Sequence, residues 1–145
     1  MVARQNSGSS NGVVLDNDIN EIARVNFQRW NDALQTKDNK EVAKLYFSNA
    51  TLLPTFSSKL KTCREEAEEY FAYFLANNPD GKITEQVVKL LTDSLYEHSG
   101  HYDFTVGPKD HTKIVAARFT FLWGLNKDGV WKIACHHSSV LPQEK

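Results

Sequence analysis

Asp128 followed by Gly129 constrains this chain more than any other feature. The pair sits between two apolar runs in TKIVAARFTFLWGLNKDGVWKIACHHSSVLP, Thr112 to Pro142, which reads as two long β-strands joined by a tight turn. Asp-Gly in that setting is a strong hairpin signal, and Asn126-Lys127-Asp128-Gly129 fits a type I turn with Gly129 in the left-handed position of a bulge. The turn fixes a register, and the register decides which side chains share a face. With Asn126 opposite Val130, Leu125 faces Trp131, Trp123 faces Ile133, Phe121 faces Cys135 and Phe119 faces His137. The other face then carries Ala116, Arg118, Thr120 and Leu122 opposite Lys132, Ala134, His136 and Ser138. A slip of one residue exchanges His136 for His137 beside Arg118, and the sequence leaves that choice open.

The 145 residues suffice for one domain with a real core. A net charge of −1 argues against nucleic acid as partner, because phosphate binding needs a basic surplus. Cys63 and Cys135 lie far apart and form no metal or redox pattern, which fits free thiols in a reducing compartment. No apolar run is long enough to span a membrane and no signal-peptide pattern opens the chain, so a cytoplasmic location with no membrane partner is expected.

Residues 1–15 begin MVARQNSGSSNG and are expected to be a flexible tail, leaving 16–142 as a single domain. Asp18 and Glu21 resemble an N-capping pair. Ile19, Ala23, Phe27, Trp30 and Leu34 then recur at helical spacing and predict an amphipathic helix to about Lys37. A short second helix is expected from Asn39 to about Phe47, and Ala50–Phe56 with its Pro54 reads as an edge strand. Thr62 and Glu65 form a capping box before a helix carrying Ala67, Tyr70, Phe71, Phe74 and Leu75. The stretch from Ile83 to His98 fits a helix stripe or a strand face equally well. GHYDFTV alternates as a strand. Helices followed by a run of antiparallel strands mean an α+β fold with helices on one face of the sheet.

PTFSSKLKTCREEAEEYFAYFLANNP, GHYDFTV and ARFTFLWGLNKDGVWKIACHHSSVLP together resemble the association, or hub, domain of calcium/calmodulin-dependent protein kinase II and its free-standing relatives in the nuclear-transport-factor-like and SnoaL-like superfamily. The resemblance runs from about Asp16 to Pro142. It implies a cone-shaped, cystatin-like fold in which a strongly curved antiparallel sheet wraps around a long N-terminal helix, and it tips Ile83–His98 toward strand. It implies assembly of copies into dimers and rings, and an arginine-lined pocket able to take small carboxylates. Kinase hubs carry more arginines in their final strands than this chain, where Ser138 follows the histidine pair.

Arg118, mid-strand among apolar residues, is the expected anion receptor, since its planar fork matches the two oxygens of a carboxylate. A structural ion pair with a helix carboxylate is the alternative. One of His136 and His137 is expected to share the pocket with Arg118, with Thr120 beside it and Tyr102, Tyr46 and Trp30 in its wall. Adjacent on a strand, the two histidines point to opposite faces and do not chelate one metal. His98 and His101 lack a third ligand, and no glycine-rich phosphate loop suggests a nucleotide cofactor, so neither a metal nor a cofactor is expected. Asp103, between Tyr102 and Phe104, is expected to face away from whatever those rings bury.

Because the resemblance places the helices over the Arg118 side, Phe119, Phe121, Trp123, Leu125, Trp131 and Ile133 are expected to form an exposed apolar face that meets another copy. The combined expectation is an oligomerising hub-like module binding a small anionic ligand. The alternative is a small SnoaL-like enzyme of isomerase, cyclase or hydrolase type, using acid–base chemistry in its cavity.

Overall fold

A computed structural model describes residues 16–143, so the tail expected over residues 1–15 lies outside the described residues. Helix α1 (Asp16–Gln35) and the short helix α2 (Asn39–Ala43) precede strand β1 (Tyr46–Leu53) and helix α3 (Arg64–Phe74). After a single 3-10 turn at Leu75–Asn77 come strands β2 (Asp80–Thr92), β3 (Leu95–Val106), β4 (Lys113–Leu125) and β5 (Trp131–Val140). They form one open sheet in the order β1-β5-β4-β3-β2. Its pairs are antiparallel except β1 with β5, which run parallel. This is the expected α+β architecture, a sheet wrapped around one long N-terminal helix.

Helix α1 docks through the predicted stripe: Ile19, Ala23, Phe27, Trp30 and Leu34 are all buried. Burying each large apolar side chain of that stripe contributes about 1.5–3 kcal/mol. The local signals shift by small steps elsewhere. The first helix begins at Asp16, so Asp18 lies in its first turn and Glu21 bonds Arg24 (2.8 Å). The second helix stops at Ala43 rather than Phe47, because the Leu45 carbonyl accepts the Ile133 amide (2.7 Å) and Tyr46 enters the sheet. The capping carboxylate of α3 is Glu66, not Glu65; it accepts the Thr62 amide (2.8 Å) while Cys63 sits at the N-cap. The stretch that fitted helix or strand is β2 and the start of β3, turned at Asp93-Ser94.

The Asp-Gly turn forms as read. Gly129 adopts φ 77°, and the Asn126 amide bonds the Val130 carbonyl (2.9 Å). The predicted register holds through Leu125↔Trp131 and Trp123↔Ile133. It then breaks: Leu122 pairs with Cys135 and Phe121 with His136, so Ala134 is an extra residue in β5. Beyond this bulge every β5 side chain changes face relative to the expected register. His136 and Ser138 turn inward to join Phe119 and Phe121, and His137 turns outward.

Independently of the bulge, the helices cover the opposite face from the one expected. Phe119, Phe121, Trp123 and Ile133 are core, not an exposed surface for another copy. Trp30 crosses Phe121 edge to face (centroids 5.4 Å apart), and Phe27 stacks on Phe119 (6.5 Å), so α1 covers the aromatic face and not the Arg118 face. Leu125 and Trp131 are half-buried, Trp131 against Tyr96 (5.0 Å). The physical reason is simple: the largest apolar surface of the sheet takes the helix.

Where β2 and β3 cross the bend, a Cβ on Gly100 would lie 1.9 Å from the Glu85 carbonyl oxygen. Only glycine permits that approach without moving backbone. Gly100→Ala should therefore cost at least about 2 kcal/mol in urea unfolding, by the strain of overpacking against a main-chain atom. A change below about 0.5 kcal/mol, the level of an ordinary surface substitution, would contradict this close packing.

Candidate functional site

The candidate residues fall into two groups on opposite sides of the sheet, and the bulge at Ala134 decides which histidine joins each. Trp30, Tyr46, Tyr102 and His136 come together inside the cone. Arg118, Thr120 and His137 come together outside it. The expected pocket combining Arg118 with His136 and Tyr102 does not form, because alternate side chains of β4 and the shifted phase of β5 send them to different faces.

Inside, hydrogen bonds run in a chain. The Trp30 indole Nε1 donates to the Tyr46 hydroxyl (3.1 Å), which lies 2.8 Å from His136 Nδ1. His136 Nε2 is 3.3 Å from the Tyr102 hydroxyl, and Tyr102, Ser138 and Thr55 continue through short hydroxyl contacts. An indole N–H only donates, so the Tyr46 oxygen accepts from it and the Tyr46 proton goes to His136 Nδ1. That leaves Nε2–H to donate to Tyr102, Tyr102 to Ser138, and Ser138 to Thr55. One direction satisfies every member, and such a chain strengthens cooperatively.

The chain is built to hold its protons. Burial, with the neighbouring His137, pushes the His136 imidazole down to about 3. Burial also raises both Tyr46 and Tyr102 well above the usual phenol range. None of these groups changes charge near neutral pH. The adjoining cavity, walled by Trp30, Leu52, Tyr70, Phe71 and Phe104, has only about 10 Å³, room for about one water. No carboxylate lines it. Ser138 and Thr55 were not anticipated from the sequence; Ser138 could have been found as the residue two along from His136, on the same face.

Outside, the same strands build a trough of about 700 Å³. Two register rows cross its floor: Glu85, His101, Arg118 and Ser139, then Val87, Ser99, Thr120 and His137. Arg118 is exposed, and its Nε donates to the Ser139 hydroxyl (3.2 Å). Among the described residues no carboxylate lies within 4.0 Å of it, so the structural ion pair does not form. Both terminal nitrogens of the fork remain available. Ser99 donates to Thr120 (3.3 Å), and His101 Nδ1 lies 3.4 Å from Glu85. His101 follows from the alternation of GHYDFTV, which places it opposite Tyr102. Glu85 and Ser99 could not be placed until β2 and β3 were known to be strands. Asp103 is half-buried on this outer side while Tyr102 and Phe104 are buried, as their alternation requires.

The family model of the calcium/calmodulin dependent protein kinase II association domain matches residues 18–142. The chain belongs to that family. A solved structure from Xanthomonas campestris, a candidate association domain of the same family, shares 36% identity over 99% of this chain and 100% of that one, with a TM-score of 0.83. Two more distant structures share the fold alone. One is a candidate dehydratase of the NTF2-like family from Streptomyces avermitilis (14% identity, 88% of this chain and 99% of that one, TM-score 0.72). The other is a protein with a cystatin-like fold from Caulobacter vibrioides (12% identity, 85% and 89%, TM-score 0.68). Among curated proteins, none matches the chain. No helix of the described residues is long and apolar enough to cross a membrane.

The association domain carries a pH dependence in its core. His136 is held near 3 and His98, buried against Phe119 with Nε2 bonded to Gln86 (2.8 Å), near 4. Both folded values lie below the unfolded histidine value of about 6.5, so the unfolded chain takes up protons first as pH falls. Stability should be flat above about pH 7.5 and should decline below about pH 6.5, by up to about 1.4 kcal/mol per pH unit for each histidine. Urea unfolding between pH 7.5 and 5, where carboxylates are still ionised, measures this directly. A flat profile there would contradict neutral burial of both rings.

Proposed function

We propose that this association domain is an oligomerising module whose outer trough takes a small carboxylate on Arg118. The observation that carries the proposal is the guanidinium itself. It lies on the floor of a 700 Å³ trough with one hydroxyl partner, no carboxylate within 4.0 Å among the described residues, and Thr120 and His137 beside it. Such a fork binds a carboxylate through two parallel hydrogen bonds. At about 1.5 kcal/mol each in an exposed site, with help from neighbouring donors, these support affinity around millimolar.

Oligomerisation rests on membership of an association-domain family. Since α1 covers the inner face of the sheet, the outer face is the one left free for a second copy. The two free thiols and the absence of a spanning helix among the described residues fit a cytoplasmic location.

The fold of the Streptomyces neighbour raises the enzymatic alternative, an isomerase, cyclase or hydrolase acting inside the cone. The interior gives that alternative little support. Its cavity of about 10 Å³ admits no substrate, no carboxylate lines it, and its histidine and tyrosines are held neutral.

Acetate or 3-hydroxybutyrate, added at constant ionic strength, should raise the unfolding temperature by a few degrees at about ten times its dissociation constant. Arg118→Lys should weaken the response and Arg118→Ala should abolish it while the protein stays folded, because Arg118 is exposed and holds no core contact. An equal response in Arg118→Ala would place the ligand elsewhere, and a monomeric mass at micromolar concentration would remove the oligomer from the proposal.

A further inference from the structure

A second group of cations lies at the other end of β5, around the point where β1 joins it. The Leu45 carbonyl accepts the Ile133 amide (2.7 Å), and three basic side chains fasten to main-chain carbonyls within two residues of that bond. Lys132 Nζ donates to the Lys44 carbonyl (2.7 Å), Arg64 Nη2 to the Tyr46 carbonyl (3.2 Å), and Arg29 Nη1 to the Trp131 carbonyl (3.3 Å) and to Asn26 Oδ1 (2.7 Å). Arg29, Arg64 and Lys132 come from α1, α3 and β5, and all three are half-buried.

Lysine and arginine are almost never fully buried unless paired, and these three, half-buried, meet only neutral partners. Among the described residues these three have no carboxylate within 4.0 Å, and Glu41, on α2, is paired with Lys44 (2.6 Å). The strain shows in the titration of Lys132 and Arg29. Burial, and then Arg29, Arg64 and Lys44 in turn, push the Lys132 ammonium toward losing its proton, and burial does the same to Arg29. The carbonyls orient the three heads but cancel little charge. Each guanidinium still has N–H donors unused.

We propose that Arg29, Arg64 and Lys132 form a site for a doubly charged oxyanion of the phosphate type. Three unmatched positive charges call for more than one negative charge, which a dianion supplies and a monocarboxylate does not. Planar forks from two arginines and a lysine point charge are also the donor set that phosphate oxygens take. The site is separate from Arg118, which lies near the far end of β5, opposite Ser139.

Inorganic phosphate, compared with chloride at equal ionic strength, tests the proposal, read by ³¹P line broadening and by thermal unfolding. Phosphate should broaden and should stabilise the protein in a saturable way, and Arg118→Ala should leave both effects intact. Lys132→Gln should raise the unfolding temperature without phosphate, by relieving repulsion, and should weaken phosphate binding at least ten-fold. Arg64→Gln should weaken it likewise, which keeps the test sound if either variant folds poorly. Phosphate and chloride acting alike, or binding lost in Arg118→Ala but kept in Lys132→Gln, would overturn the proposal.

Discussion

Ala134 is one residue more than β4 can match, and the rest of the site follows from it. A strand presents alternate side chains to alternate faces, so a single unmatched residue inverts the sorting of everything beyond it. Trp123 and Ile133, on the turn side of the bulge, keep the register the Asp-Gly turn dictates. Beyond it, Phe121 meets His136 at a ring separation of 3.9 Å, where an uninterrupted ladder would have offered Cys135. The polar chain through Trp30, Tyr46, His136 and Tyr102 exists because that histidine points inward.

The two sides of the sheet consequently differ in kind. The inner side is packed and fully hydrogen-bonded along the chain from Trp30 to Thr55, and its ionisable members are held neutral by burial. Polar groups so satisfied specify a core more than they catalyse. The outer side holds an exposed arginine with capacity to spare and a trough wide enough for a ligand or for part of another molecule.

Much of the fold was legible in the sequence because its signals are local. The α1 stripe from Ile19 to Leu34, the Asn126–Gly129 turn and the alternation of Tyr102, Phe104 and Val106 each report on residues a few positions apart. What was not legible depends on distant partners. Tyr46 left the helix its neighbours favoured because Leu45 pairs with Ile133, 88 positions away in the chain by its residue number. The bulge has no mark in CHHSS itself, and without it Cys135 and His137 would face inward in place of His136 and Ser138. Arg118, Thr120 and His137 lie on one side of the sheet; the alternation of β3 and β4 parts Tyr102 from them, and the bulge parts His136.

The inward placement of His136 is the central claim, and nitrogen-detected NMR of its ring tests it most directly. The account predicts a neutral imidazole protonated on Nε2, with Nδ1 as acceptor, and no titration above about pH 5. A ring that titrates near pH 6.5, as a solvated histidine does, or one protonated on Nδ1, would contradict it.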